Sequence, residues 1–115
     1  MNYLSAFLTT ISLLTLSNLF MTFAWYGHLK YEGYPLYFVI LASWAIAFFE
    51  YCFQVPANRL GHIHFSAFEL KIMQEIITMV IFVLFSFLYL EESIGWNHYV
   101  GFLCIIVGSL IIFYK

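Results

Sequence analysis

The sequence predicts an all-α integral membrane protein, a bundle of four transmembrane helices. Three observations carry this expectation. The 115 residues are 64% apolar and only 9% charged, where soluble domains run at roughly 45–50% and about 25%. Four apolar runs, at 4–26, 36–55, 67–90 and 98–114, approach or exceed the roughly 20 residues that cross a hydrocarbon layer. The connections between them, 27–35, 56–66 and 91–97, are short. Short connections make sequential spans antiparallel neighbours in one domain over 1–115. In lipid only helices or closed barrels satisfy the backbone, and these runs lack the two-residue alternation of barrel strands.

The first run has no basic leader region and no small-residue cleavage site, so it is expected to stay as a span. Pro35 opens the second run at a position where a missing N–H does no harm, and Pro56 is expected to follow its end. Ser66 and Glu69 have the spacing of a capping box at the start of the third. Tyr3, Trp25, Tyr26, Tyr34, Tyr37, Trp96, Tyr99 and Tyr114 fall near run ends, where interfacial aromatics gather. Arg59, Lys71 and Lys115 share the side that carries both termini, against Lys30 alone on the other. That bias predicts both termini in the cytoplasm.

Several function classes fall away. Four Lys/Arg offer no basic patch for nucleic acid. Cys52 and Cys104 lie inside apolar runs and write no disulfide framework. His62 and His64 with Glu69 are a weak metal signal, and His28 and His98 belong to the opposite side. No P-loop, dinucleotide turn, HExxH or GxSxG is present. Neither an enzyme nor a bound cofactor or metal is expected.

Polar residues inside apolar runs are the informative ones, since each is costly in lipid unless paired or wetted. Ser43, Ala47, Glu50 and Gln54 are spaced i, i+4, i+7, i+11 and share one helical face. Glu50 is six residues before Pro56, about 9 Å inside that expected end. Lys71, Gln74, Glu75 and Thr78 form a stripe on the third run, at a depth expected to match Glu50. Two readings stand. Glu50 and Glu75 form a carboxylate site for a proton or a cationic group, or Lys71 pairs with Glu75 and Arg59 neutralises Glu50 in an interfacial ion-pair network. Glu50, with no basic residue within a turn of its own helix, favours the first reading more than Glu75 does.

The first run carries a thinner polar line, Thr15, Asn18 and Thr22, ahead of Trp25. Asn18 either lines a pathway or, more commonly for a membrane Asn, bonds to a neighbouring helix. Trp25, Tyr26, Trp44 and Tyr51 form an aromatic box for a cation, or their placement is incidental in a chain that is 23% aromatic. Gly101, Cys104 and Gly108 put small residues on one face of the fourth run. That face is expected to be a homodimer seam, with packing inside the chain as the alternative.

The segments AWYGHLK at 24–30, FEYCFQVPANRLG at 49–61 and LKIMQE at 70–75 resemble a small bacterial family. It is the domain-of-unknown-function family 486, grouped with the drug/metabolite transporter superfamily. The architecture is also similar to the small multidrug resistance proteins, whose four-helix chains pair through a glycine-spaced fourth helix. Gly101 and Gly108 before Leu110-Ile111-Ile112, Glu91-Glu92 and Val55-Pro56 fit that pattern. Those proteins use a membrane-embedded Glu in the first helix, and the nearest position here is Asn18. Proton exchange would therefore fall to Glu50 or Glu75. The resemblance implies a small secondary transporter in the bacterial inner membrane, working as a homodimer in the lipid bilayer. Its solute would be small and polar or cationic, bound at Glu50, Glu75, Gln54, Asn18, Gln74, Trp25 and Tyr51. The alternative is a non-transporting structural or regulatory membrane subunit.

Overall fold

In a computed structural model, residues 2–114 are described; Lys115, counted in the charge bias, lies outside them. Four helices follow in order: α1 Tyr3–Tyr26, α2 Leu36–Gly61, α3 Ala67–Leu88 and α4 Trp96–Phe113. All four are long and apolar enough to cross a membrane. A 3₁₀ turn, Gly27–Lys30, leads out of α1.

The ends are set by local chemistry. Asn2 caps α1 by accepting from the Ser5 N–H at 2.7 Å. The expected capping box opens α3: the Glu69 N–H donates to Ser66 Oγ at 3.1 Å, and the Ser66 N–H donates to the Glu69 carboxylate at 3.0 Å. At α4 the Gly95 N–H donates to His98 Nδ1 at 2.9 Å, which brings the helix start forward to Trp96. In the preceding turn Glu91 adopts φ 58°, the left-handed region. Ser86 Oγ donates to the Glu92 carboxylate at 2.5 Å and ties that turn to α3.

One expected boundary is wrong, and the error matters. Helix α2 does not stop before Pro56 but runs through it to Gly61. Proline removes the N–H that would reach the Cys52 carbonyl, yet membrane helices tolerate it where neighbours hold the chain. Here they do. Ala57 is wholly buried in a core cluster with Leu14, Phe65, Leu70 and Met73. Gly61 lies so close to α1 and α3 that a Cβ there would sit 2.7 Å from Leu70 Cδ2 and 3.0 Å from Thr10.

The other ends shift by a residue or two, with α3 ending at Leu88 and α4 at Phe113.

Helix α1 is the centre of the packing. It lies along α2 and also against α3, while α4 packs chiefly on α3. Its buried positions include Ala6, Thr10, Leu14, Ser17 and Ala24. These are mostly small side chains at helical spacing, which let neighbouring backbones approach closely. Phe20 stacks on Phe49 and Phe53 at 5.8 and 5.6 Å between ring centroids. Toward the first connection, Phe23, Phe85 and Tyr89 form a ring cluster with centroids 4.9–5.4 Å apart.

The bundle is open rather than closed. Its extents are 49 × 35 × 18 Å, a slab little more than one helix pair thick. On α4 only Ser109 is buried. Gly101, Cys104 and Gly108 are exposed, and nothing approaches within 4 Å of a Cβ built at either glycine. The expected interfacial aromatics, from Tyr3 to Tyr114, all lie exposed.

These contacts predict a sharp difference among the glycines. Gly61→Val overpacks the α1–α2–α3 contact and should cost about 1–3 kcal/mol, read as a lower melting temperature in detergent. Gly101→Ala and Gly108→Ala should leave the monomer's melting temperature unchanged or raise it.

Candidate functional site

The longer α2 places Glu50 differently from expectation. Glu50 is eleven residues from Gly61, so it lies about 16 Å from that end of the helix, and about 21 Å from the Leu36 end. It therefore stands near the middle of the span, not close to one surface. Its residue is only 7% exposed, and Gln54, one turn on, is 9% exposed.

Both face Ser17 on α1. Ser17 Oγ lies 2.7 Å from Gln54 Oε1 and 3.3 Å from Glu50 Oε1. A hydroxyl has one proton to donate, and two acceptors face it. The shorter contact claims that proton for Gln54. The Glu50 contact is then a hydrogen bond only when the carboxyl carries its own proton and donates it to Ser17 Oγ. Glu50 makes no ion pair: among the described residues the salt bridge is Lys71–Glu75. Gln54 Nε2 is buried without a hydrogen-bond partner. The site thus offers one carboxyl group and one unspent amide donor, close together at mid-depth.

Asn18 is fully buried beside Ser17 but faces another way. Its Nδ2 donates to the Leu14 carbonyl at 2.7 Å, and its Oδ1 accepts from Thr78 on α3. Thr22 Oγ1 donates back to the Asn18 carbonyl at 2.8 Å. Asn18 therefore links α1 to α3 and has its hydrogen bonds met within the chain. Thr15, also in the expected polar line, bonds its own helix at the Ile11 carbonyl.

The expected pair of buried carboxylates does not form. Glu75's side chain is 48% exposed and pairs with Lys71 one turn away at 2.9 Å, so this pair faces outward while Thr78 of the same stripe turns in to Asn18. An exposed pair of this spacing contributes roughly 0.2–0.5 kcal/mol. Arg59 is exposed and makes no ion pair with Glu50. Gln74 lines a cleft between α2 and α3 instead of meeting Glu50. Trp25 and Tyr51 are exposed, as are Tyr26 and Trp44, so the expected aromatic box is not assembled.

Another aromatic cavity takes its place. A space of about 340 Å³ lies between the Gly27–Lys30 turn and α2, lined by Phe23, Tyr31, Tyr34, Phe38 and Tyr89 with His28 as its ionisable group. Ser43 and Ile46 form its α2 wall. Ile46 is one turn before Glu50, on the face that Ser43 and Glu50 share. Lys30 Nζ already rests 4.2 Å from the Tyr89 ring centroid, so a cation is accepted at the cavity's rim.

Ser17 and these tyrosines are absent from the sequence-level expectation. For Ser17 a signal existed: Ala6, Thr10, Ser17 and Ala24 form a small-residue face along α1. The tyrosines had none, because they come from a connection and a helix end brought together only by folding.

The family comparison bears on this geometry. Residues 10–113 match a family described as "Putative member of DMT superfamily (DUF486)", DMT standing for drug/metabolite transporter. The chain belongs to this family. The match covers all four helices, and with their length and composition it makes the chain a multi-pass membrane protein of a kind consistent with transport. No curated protein and no solved structure matches the chain.

The Asn18–Thr78 link is testable as a coupling. Asn18→Ala and Thr78→Ala should each lower stability in detergent, and the double variant should lose less than the sum. The coupling energy expected is about 0.6 kcal/mol and at most about 1.7. A coupling indistinguishable from zero would remove Asn18 as the α1–α3 tie.

Proposed function

We propose that this protein is a small secondary transporter that moves a small polar or cationic solute and couples the movement to a proton held by Glu50. The observation that carries the reading is a single buried carboxyl group near mid-span, bonded to a serine and free of any ion pair. A buried intramembrane carboxyl is costly, and such groups characteristically mark a substrate or proton pathway. Transporter sites characteristically lie near the midplane.

Gln54 supports the reading with an amide donor that no protein group uses. The aromatic cavity supports a cationic or amphipathic solute, since its tyrosine and phenylalanine faces attract positive charge. Alternating access would expose Glu50 first toward this cavity and then toward the opposite end. Glu75 has no part in the exchange under this reading; its charge is met by Lys71.

Four helices in a thin slab enclose little volume, so the working unit is proposed to be a homodimer. Helix α4 supplies the seam, because Gly101, Cys104 and Gly108 are exposed and no described residue comes within 4 Å of a Cβ built at either glycine. The proposed setting is a bacterial inner membrane with both termini cytoplasmic. No enzymatic step is assigned to the chain.

Proton release on adding a panel of organic cations to detergent-purified protein tests the coupling. The wild type and Glu75→Gln should release protons with comparable stoichiometry, and Glu50→Gln should release none. Absence of release from the wild type, with Glu50→Gln merely changing stability, would favour the structural-subunit reading. The seam has its own test: Gly101→Leu with Gly108→Leu should shift cross-linked dimer toward monomer by at least tenfold, without lowering the monomer's melting temperature.

A further inference from the structure

A second site lies on a different flank of α2. Between α2 and the start of α3 a cleft of about 750 Å³ opens, on the side of the helices away from the Ser17–Glu50 contact. It is lined by Arg59, His62 and Lys71 together with the apolar Val55, Ala67 and Leu70. No carboxylate lines it among the described residues. Two of the chain's four Lys/Arg therefore converge on one cleft.

The charges there are incompletely met. Arg59 is exposed and makes no ion pair among the described residues. Lys71 is held by Glu75 along its own helix, which leaves two of its three donors unspent. His62 Nδ1 lies 3.0 Å from the Phe65 carbonyl, which orients the exposed ring at the cleft. Asn58 and Gln74 add neutral amides to the same lining. Cationic and amide donors facing one space, with Glu75 meeting only Lys71 among the described residues, match a phosphate group.

The apolar lining decides the source of that phosphate, since Val55 lies exposed one turn deeper on α2 than Arg59. A soluble ion needs no hydrocarbon surface, whereas a lipid brings acyl chains along with its headgroup. The cleft lies where two membrane spans end, at headgroup level. We infer that this cleft binds the phosphate of an anionic lipid, with Arg59 and Lys71 as charge partners and the exposed Val55 against the acyl chain. This goes beyond the transport reading and does not rest on it.

The test uses the full chain in detergent, titrated with phosphatidylglycerol, phosphatidylcholine or inorganic phosphate, with bound lipid counted by native mass spectrometry. Phosphatidylglycerol should bind several-fold more tightly than phosphatidylcholine, and inorganic phosphate should displace it only at far higher concentration. Arg59→Gln and Lys71→Gln should each weaken phosphatidylglycerol binding about fivefold. Arg59→Lys should retain most of the affinity. Lys30→Gln, at the opposite end, should leave the preference intact and so control for general loss of charge. Equal binding of the two lipids, or a preference that survives Arg59→Gln and Lys71→Gln, would overturn the proposal. Inorganic phosphate competing at the same concentration as the lipid would overturn the lipid source.

Discussion

Everything in this fold follows from one constraint: a polar side chain inside hydrocarbon has no water to fall back on. Each must find its partner on another helix, on its own backbone, or in a ligand. Helix α1 is where these demands meet. Thr15 and Thr22 turn back onto their own backbone, Asn18 reaches Thr78 on α3, and Ser17 reaches Gln54 and Glu50 on α2. The small residues that bring the helices close enough for these bonds also make α1 the shared packing surface. Polar satisfaction and close packing coincide at Ser17 and Asn18 but part at Thr10, whose hydroxyl is buried against Gly61 with no hydrogen-bond partner among the described residues.

What the sequence makes legible is what depends on runs and spacing. The four helices follow from run length, the Ser66–Glu69 capping box from its local pattern, and the outward Lys71–Glu75 pair from its i, i+4 spacing. Glu50 and Gln54 share a face because they are one turn apart. What depends on tertiary contact was not legible. Pro56 reads as a stop, and only the burial of Ala57 and the approach of Gly61 to Thr10 show why the helix continues. That one change moves Glu50 to mid-depth, whereas Glu75 stands apart from it because it faces outward and pairs with Lys71. The aromatic box expected from Trp25, Tyr26, Trp44 and Tyr51 fails for a similar reason. Along an apolar run, an exposed aromatic and a site-forming aromatic have the same local sequence.

The division of labour among the helices is uneven. Helices α1, α2 and α3 carry the core cluster and the polar contacts. Helix α4 contributes Phe113 to the edge of that core but buries little else. A helix so lightly held by its own chain presents a long apolar face outward, and its glycines keep that face flat. The fold thus keeps the surface proposed for subunit contact apart from the surfaces that hold Glu50.

The contact of Ser17 with two acceptors has one more implication. A row of hydrogen bonds has a direction, set by which end supplies the proton. With a proton on Glu50, the row points from the carboxyl through Ser17 to the Gln54 carbonyl oxygen. Without it, Ser17 turns its proton to the carboxylate, and Gln54 must rotate its amide to present nitrogen instead. The orphaned donor then becomes an orphaned acceptor. Occupancy of one titrating group is thereby converted into the polarity of a neutral side chain a turn away, with no helix displaced. A solute seated against Gln54 would meet a donor in one state and an acceptor in the other.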